Sequence, residues 1–173
     1  MSRLFKFDPA KTLEILLYIT KRAPIKNVYW VLKVLYFADK SHLSNWGRFI
    51  GGDSYVALQK GPVPSGAYDI LKGDYRWTYE HESRPPFEVI DKKQVVPFRD
   101  ADLDMLSQSD RECLDASIAE NGRLSFQQLH DKSSDAAYKA ADENDFMSLE
   151  NIVGTLPNAN LVADYLAHQD IIR

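Results

Sequence analysis

"VLKVLYFADKSHLSNWGRFIGGDSYVALQKGPVPSGAYDIL", residues 31–71, changes its apolar period twice, and the changes set the fold. With the residues just before it, the first part places Val28, Leu32, Leu35 and Tyr36 at helical spacing. From Asn27 to Gly47 the chain is apolar nearly all round, which predicts a helix at the centre of the core. After Gly47 the period becomes two. Gly51, Gly52 and Asp53 read as a turn between short strands, and Val56 and Leu58 alternate with Tyr55, Ala57 and Gln59. This reading turns Val56 and Leu58 toward the core and leaves Tyr55 and Gln59 pointing away from it. Gly61 and Val63 each precede a proline and are driven toward extended backbone, while Pro62 and Pro64 have a fixed φ and no amide hydrogen. The segment is therefore a stiff extended bend. From Ser65, read as a helix cap, a short helix runs to a stop at Gly73.

Working outward, Asp8-Pro9 supplies a cap and a first-turn proline for a helix that ends before Pro24. Downstream, residues 74–86 read as a polar, aromatic connecting loop. "FEVIDKKQVVPF" reads as a second hairpin turning at Asp91, Lys92 and Lys93, with Pro97 at a strand end or on an edge strand. Helical patterns then return: Ser109 caps "DRECLDASIAENG", Ser125 with Gln128 forms a capping box for "FQQLHDK", and "SDAAYKAADEN" and "NLVADYLAHQDII" follow. The fold class these elements predict is α+β and mainly α-helical: a single-domain helical bundle carrying two small β-hairpins over residues 1–173. Its C-terminal part, residues 100–173, is expected to be helical and acidic.

The chain has 173 residues, of which 45% are hydrophobic, 12% aromatic and 27% charged, the composition of an ordinary globule. Cys113 is the single cysteine, which excludes an internal disulfide and a four-cysteine zinc site and fits a reducing, cytoplasmic setting. The opening residues lack a signal peptide's unbroken apolar core, and no apolar run approaches the ~20 residues of a membrane-spanning helix. The net charge of −4 argues against general nucleic-acid binding, but its distribution is lopsided. Residues 1–46 hold eight Lys and Arg against three Asp and Glu, whereas residues 100–150 hold four against thirteen. Either the two ends neutralise each other or simply face water, or the acidic stretch offers a surface to a basic partner.

Catalytic and cofactor patterns are sparse. His42, His81, His130 and His168 are scattered without metal-ligand spacing, and no phosphate-cradling glycine motif occurs. Val63 and Ala67 stand where a nucleophile elbow around Ser65 would need glycines. Cys113 reads as an inert core thiol. Lys26, Lys33 and Lys40 recur every seven residues on the long helix, beside Trp30 and Phe37, and read as its solvated edge. Asp39 interrupts the helix's apolar surface. A carboxylate there must meet a cation or a donor, either in a structural pair or as a polar anchor of a partner-binding groove. No catalytic residue, metal or cofactor is expected.

Residues 31–71 resemble the signature of the Panacea-domain family of antitoxin-associated, often phage-associated proteins. The resemblance rests on "LYFAD" from Leu35 to Asp39, on the run from Gly47 to Leu58 taken as a hairpin, and on Gly61-Pro62-Val63-Pro64. The acidic C-terminal region carries no matching motif. The resemblance implies an antitoxin that neutralises a cognate toxin, encoded by a neighbouring gene, through protein–protein binding and without an enzymatic step. The competing readings are a phage-associated regulatory or proteolytic adaptor, and an enzyme with an unrecognised site. On the antitoxin reading, the proline-fixed corner presents a preorganised surface, with Asp39, Tyr55, Gln59, Lys60, Pro62, Val63 and Pro64 as candidate contacts. Otherwise the corner is purely a folding device.

Overall fold

In the computed structural model, which describes residues 5–172, the chain forms eight helices and two antiparallel two-stranded sheets. Helix α1 spans Pro9–Arg22, and the Asp8 carboxylate caps it by accepting from Lys11 N–H at 3.0 Å. Helix α2 spans Val28–Trp46, capped by Asn27 and closed by Gly47 in the left-handed region at φ 74°. A Cβ at Gly47 would stand 2.4 Å from the Tyr165 ring, so both the backbone and the packing require glycine. The next elements are β1 (Tyr55–Leu58), β2 (Gly61–Pro64), α3 (Ser65–Leu71), β3 (Phe87–Ile90) and β4 (Gln94–Pro97). Then follow α4 (Gln108–Asn121), α5 (Phe126–Ser133), α6 (Ala136–Ala140), α7 (Leu149–Gly154) and α8 (Ala159–Ile172).

The all-round apolar character of α2 puts it between two apolar clusters. Val31, Leu32, Val34 and Leu35 join α1, α3, Val95 of β4 and Leu114 of α4 in one cluster. Tyr36 and Leu43 join Phe49, Tyr55 and the α6 to α8 region in the other. The mainly helical α+β architecture and the second hairpin, turning at Asp91 and Lys92 with positive φ, agree with the sequence reading.

The first hairpin lies elsewhere than expected. Residues 48–54 are irregular because their backbone groups have other partners: Ile50 N–H donates to Asp39 at 2.8 Å, and the Gly51 carbonyl accepts from Asp8 N–H at 3.0 Å. The hairpin instead turns at Gln59-Lys60, and the proline segment is its second strand, with Tyr55 opposite Pro64, Val56 opposite Val63 and Ala57 opposite Pro62. The far edge of β1 is occupied by residues 144–147. Ala57 N–H donates to Asp145 O at 2.9 Å, Asn144 N–H to Ala57 O at 2.8 Å and Met147 N–H to Tyr55 O at 2.8 Å. Ala57 and Tyr55 thus spend their backbone groups away from β2, so the absent N–H groups of Pro62 and Pro64 would have pointed off the open edge of the sheet. Proline is tolerated at these two positions, and it blocks pairing with a further strand.

The alternation is also inverted. Tyr55 and Ala57 are buried with Pro62 and Pro64, while Val56, Leu58 and Val63 are only half-buried on the opposite face. The Tyr36 and Phe49 rings enclose Tyr55 at 4.9 and 5.4 Å between centroids, which is why the larger aromatic residue takes the inner face. Three caps also differ from the sequence reading. Ser65 makes no capping bond; the buried Asp53 carboxylate instead accepts from Gly66 and Ala67 N–H, each at 2.9 Å. Ser107, in a capping box with Asp110, replaces Ser109 as the cap of α4. Ser148 opens α7, a helix the periodicity did not reveal.

Candidate functional site

The tip of the β1–β2 hairpin, the first turns of α2 and the start of α5 enclose a groove of about 490 Å³. Its aromatic walls come from Tyr29 and Trp30 on α2, Tyr68 on α3 and Phe126 on α5. The Tyr29 and Phe126 rings lie 4.7 Å apart and the Tyr29 and Trp30 rings 5.7 Å apart. Trp30 is fixed by donation from its indole N–H to Leu124 O at 2.8 Å, and Tyr29 by donation from its hydroxyl to Lys60 O at 3.1 Å. These bonds hold the aromatic surface in shape and tie the hairpin tip to it.

The charge of the groove has one sign. Lys33, Lys60, Lys92 and Lys93 line it, and among the described residues no Asp or Glu does, in a chain whose net charge is −4. Lys60, Lys92 and Lys93 are exposed at the rim, and the Lys60 ammonium lies 5.9 Å from the Phe126 ring centroid. Lys33 is different. It is 1% exposed, donates to Pro62 O at 2.7 Å and sits 4.6 Å from the Tyr29 ring centroid. Among the described residues it forms no salt bridge. Burial, which disfavours the charged form, brings its pKa down to about 7.

This corrects the reading of the lysine stripe as a solvated edge. Lys26 bonds the Ala23 and Thr20 carbonyls at the end of α1, and Lys40 pairs with Asp135 at 3.0 Å beside Tyr36. The period of seven misled because α2 begins only at Val28, so Lys26 lies before it, while Lys33 and Lys40 are covered by the hairpin and by Asp135 ahead of α6.

The candidate contacts divide between surface and core. Gln59 and Lys60 are exposed at the hairpin tip, and Val63 is half-buried; all three line the groove. Pro62 and Pro64 face inward, and Asp39 and Tyr55 are each 1% exposed. The Tyr55 hydroxyl donates to Asp39 Oδ2 at 2.5 Å, and Ile50 N–H donates to Asp39 Oδ1. Asp39 therefore meets donors rather than a cation. Burial raises its pKa to about 7 despite those two bonds. Tyr55 and Asp39 fasten the hairpin to α2.

A second buried polar cluster escaped the sequence reading. Asp110, at the start of α4, meets Lys11 at 2.8 Å, Arg48 at 3.0 Å and His42 at 3.2 Å. Burial pushes its carboxyl up, but the hydrogen bonds from His42, Lys11 and Ser107 N–H outweigh this and hold it well below the usual carboxylate range. The Ser107-x-x-Asp110 spacing was the available signal, and it marks only the cap. Cys113 is buried, and burial raises its thiol pKa. Among the described residues no three His, Cys, Asp or Glu side chains stand where a metal ion could be shared, and no helix is long and apolar enough to cross a membrane.

No curated protein and no solved structure matches the chain. A family model described as "Antitoxin SocA-like, Panacea domain" matches residues 31–138, from the first turn of α2 into α6. That span includes both hairpins and the groove wall apart from Asn27, Val28, Tyr29 and Trp30, and it extends the resemblance seen in residues 31–71 across more than half of the sequence. The chain belongs to the antitoxin SocA-like, Panacea-domain family.

Proposed function

We propose that this protein neutralises a toxin protein by binding it directly, with the groove at the β1–β2 hairpin as a principal contact surface and no chemical step. The observation that carries this reading is the family match across residues 31–138. The groove supports it independently: it is apolar and aromatic within, ringed by cations, and held in shape by Tyr29 and Trp30, so binding orders few side chains. Of the candidate contacts, the reading keeps Gln59, Lys60 and Val63. It gives Asp39, Tyr55, Pro62 and Pro64 the role of fixing the hairpin beneath them. The toxin is the product of a neighbouring gene, as expected for a pair that is made together.

The test is expression of the neighbouring open reading frame with and without this chain, followed by co-purification. Growth arrest relieved by the chain, with a stable complex recovered, supports the reading. Lys60→Glu should then weaken the complex without lowering the melting temperature, because Lys60 is exposed. A harmless neighbour, or relief of toxicity without a complex, overturns neutralisation by binding.

A further inference from the structure

Lys33 is a buried ammonium placed at the wall of an open groove, and the described residues give it no counter-charge. A lysine needed only to hold Pro62 O would bring more cost than benefit, since one carbonyl and one aromatic face replace little of its hydration. Its surroundings are otherwise well fitted. Gly61, at φ 118°, leaves room for it: a Cβ there would lie 2.9 Å from Lys33 Cε and 3.1 Å from Ser133 Oγ. Lys33 thus lines the groove with its ammonium in a fitted, buried pocket that holds no anion among the described residues.

We propose that the groove takes a segment of the partner protein bearing a carboxylate side chain flanked by apolar or aromatic residues, the carboxylate pairing with Lys33 and the flanking groups packing on Tyr29 and Phe126. This rests on the toxin-binding reading and deepens it by assigning the chemistry of the partner's segment. Charge complementarity supports the occupant: four lysines and no carboxylate line the groove. Lys60, Lys92 and Lys93 attract the acidic segment from solution, and Lys33 fixes its register within. Because the free lysine titrates near 7, anion binding is coupled to proton uptake and tightens as pH falls through that range. The elements packed around it also carry Tyr29, Tyr36, Asp39, Lys40 and His42 on α2, Tyr55 and Lys60 on the hairpin, and His130, Asp131 and Lys132 on α5. Of these, Tyr29 has its pKa raised to about 12, first by burial and then by Tyr138 and Asp131.

The test needs no toxin, so its outcome is independent of the neutralisation experiment. The ¹⁵N-labelled full chain is titrated with 4-phenylbutyrate, and separately with the neutral 4-phenylbutyramide, at pH 6.5 and pH 9. Saturable shifts at Tyr29, Lys60 and Phe126 with the acid are expected, with the amide about tenfold weaker. The acid should also bind more tightly at pH 6.5 than at pH 9, by up to about 75-fold, as the fraction of charged lysine dictates. Lys33→Met should bind acid and amide alike, without pH dependence, while Lys60→Ala keeps the pH dependence. Equal binding of acid and amide by the native chain overturns the proposal, as does a Lys33→Met variant that holds the acid as tightly as the native protein. Inorganic phosphate displacing the acid at equal concentration also overturns it, by assigning the site to phosphate.

Discussion

Replacing Lys33 with Met should stabilise the protein in a pH-dependent manner, and the size of the effect follows from burial. The folded-state pKa of Lys33 is lowered to about 7 from 10.5. Between those values the unfolded chain binds more protons than the folded one, so this group's contribution to stability rises with pH, and it is most unfavourable below 7. With those two pKa values the native protein gains about 3 kcal/mol from Lys33 between pH 6.5 and pH 9.5. Methionine fills nearly the same volume, does not titrate, and loses only the bond to Pro62 O, about 1 kcal/mol at any pH. The variant should therefore exceed the native protein clearly at pH 6.5 and lose about 3 kcal/mol of that advantage by pH 9.5. Urea unfolding of both proteins at the two pH values measures it, and titrations common to both cancel in the difference. A difference that stays constant with pH, or grows toward pH 9.5, would refute the idea that Lys33 is desolvated in the folded state.

Three further outcomes follow from the buried polar groups and from Gly61. Tyr55→Phe removes one of the two donors to Asp39 and should cost about 1–3 kcal/mol in urea unfolding, with little loss if the hydroxyl bond is unimportant. Asp110→Asn leaves Lys11, Arg48 and His42 without their shared carboxylate and should cost about 3–5 kcal/mol at pH 7. Because the Asp110 pKa is depressed, its contribution is present above the ordinary carboxylate range and is lost as pH falls through the folded value. The stability gap between native and Asp110→Asn should thus close in acid, and a gap unchanged down to pH 3 counts against it. Gly61→Ala combines a φ of 118° with a Cβ pressed against Lys33 and should lower the melting temperature by several degrees, seen in a calorimetric scan; an unchanged scan would mean that the turn relaxes freely.

Where the sequence could be read, it was because one local rule acted alone. The capping of α1 by Asp8, the end of α2 at Gly47, the second hairpin and the Ser125 capping box depend on neighbours in sequence, and they stand as read. The residues 48–64 misled because long-range partners decide them. Nothing in "RFIGGDSYVALQKGPVP" says that Asp39 and Asp53 will claim the backbone N–H groups of residues 50, 54, 66 and 67, or that residues 144–147 will line the far edge of β1. Without that third segment, alternation alone cannot tell the inner face from the outer one. The prolines were legible as stiff extended backbone but not as a strand edge, since which N–H points outward depends on the register.

The buried polar groups can be sorted by whether the fold completes them. Asp39 has two donors, Asp53 has three backbone N–H groups, and Asp110 has the Lys11 and Arg48 cations, the His42 ring and a backbone N–H; each ties a loop to a helix and is accounted for by folding alone. Lys33 stands apart, as an ammonium of equal burial with a single carbonyl, an aromatic face and, among the described residues, no anion. A sequence free to place methionine there would gain stability, so a lysine retained at the wall of an aromatic, acid-free groove fits a group whose counter-ion arrives with the partner. The same comparison separates the exposed Gln59 and Lys60 from the larger Tyr55: Tyr55 is consumed in holding the hairpin to α2, and it is this attachment that keeps the tip and the groove in one fixed arrangement.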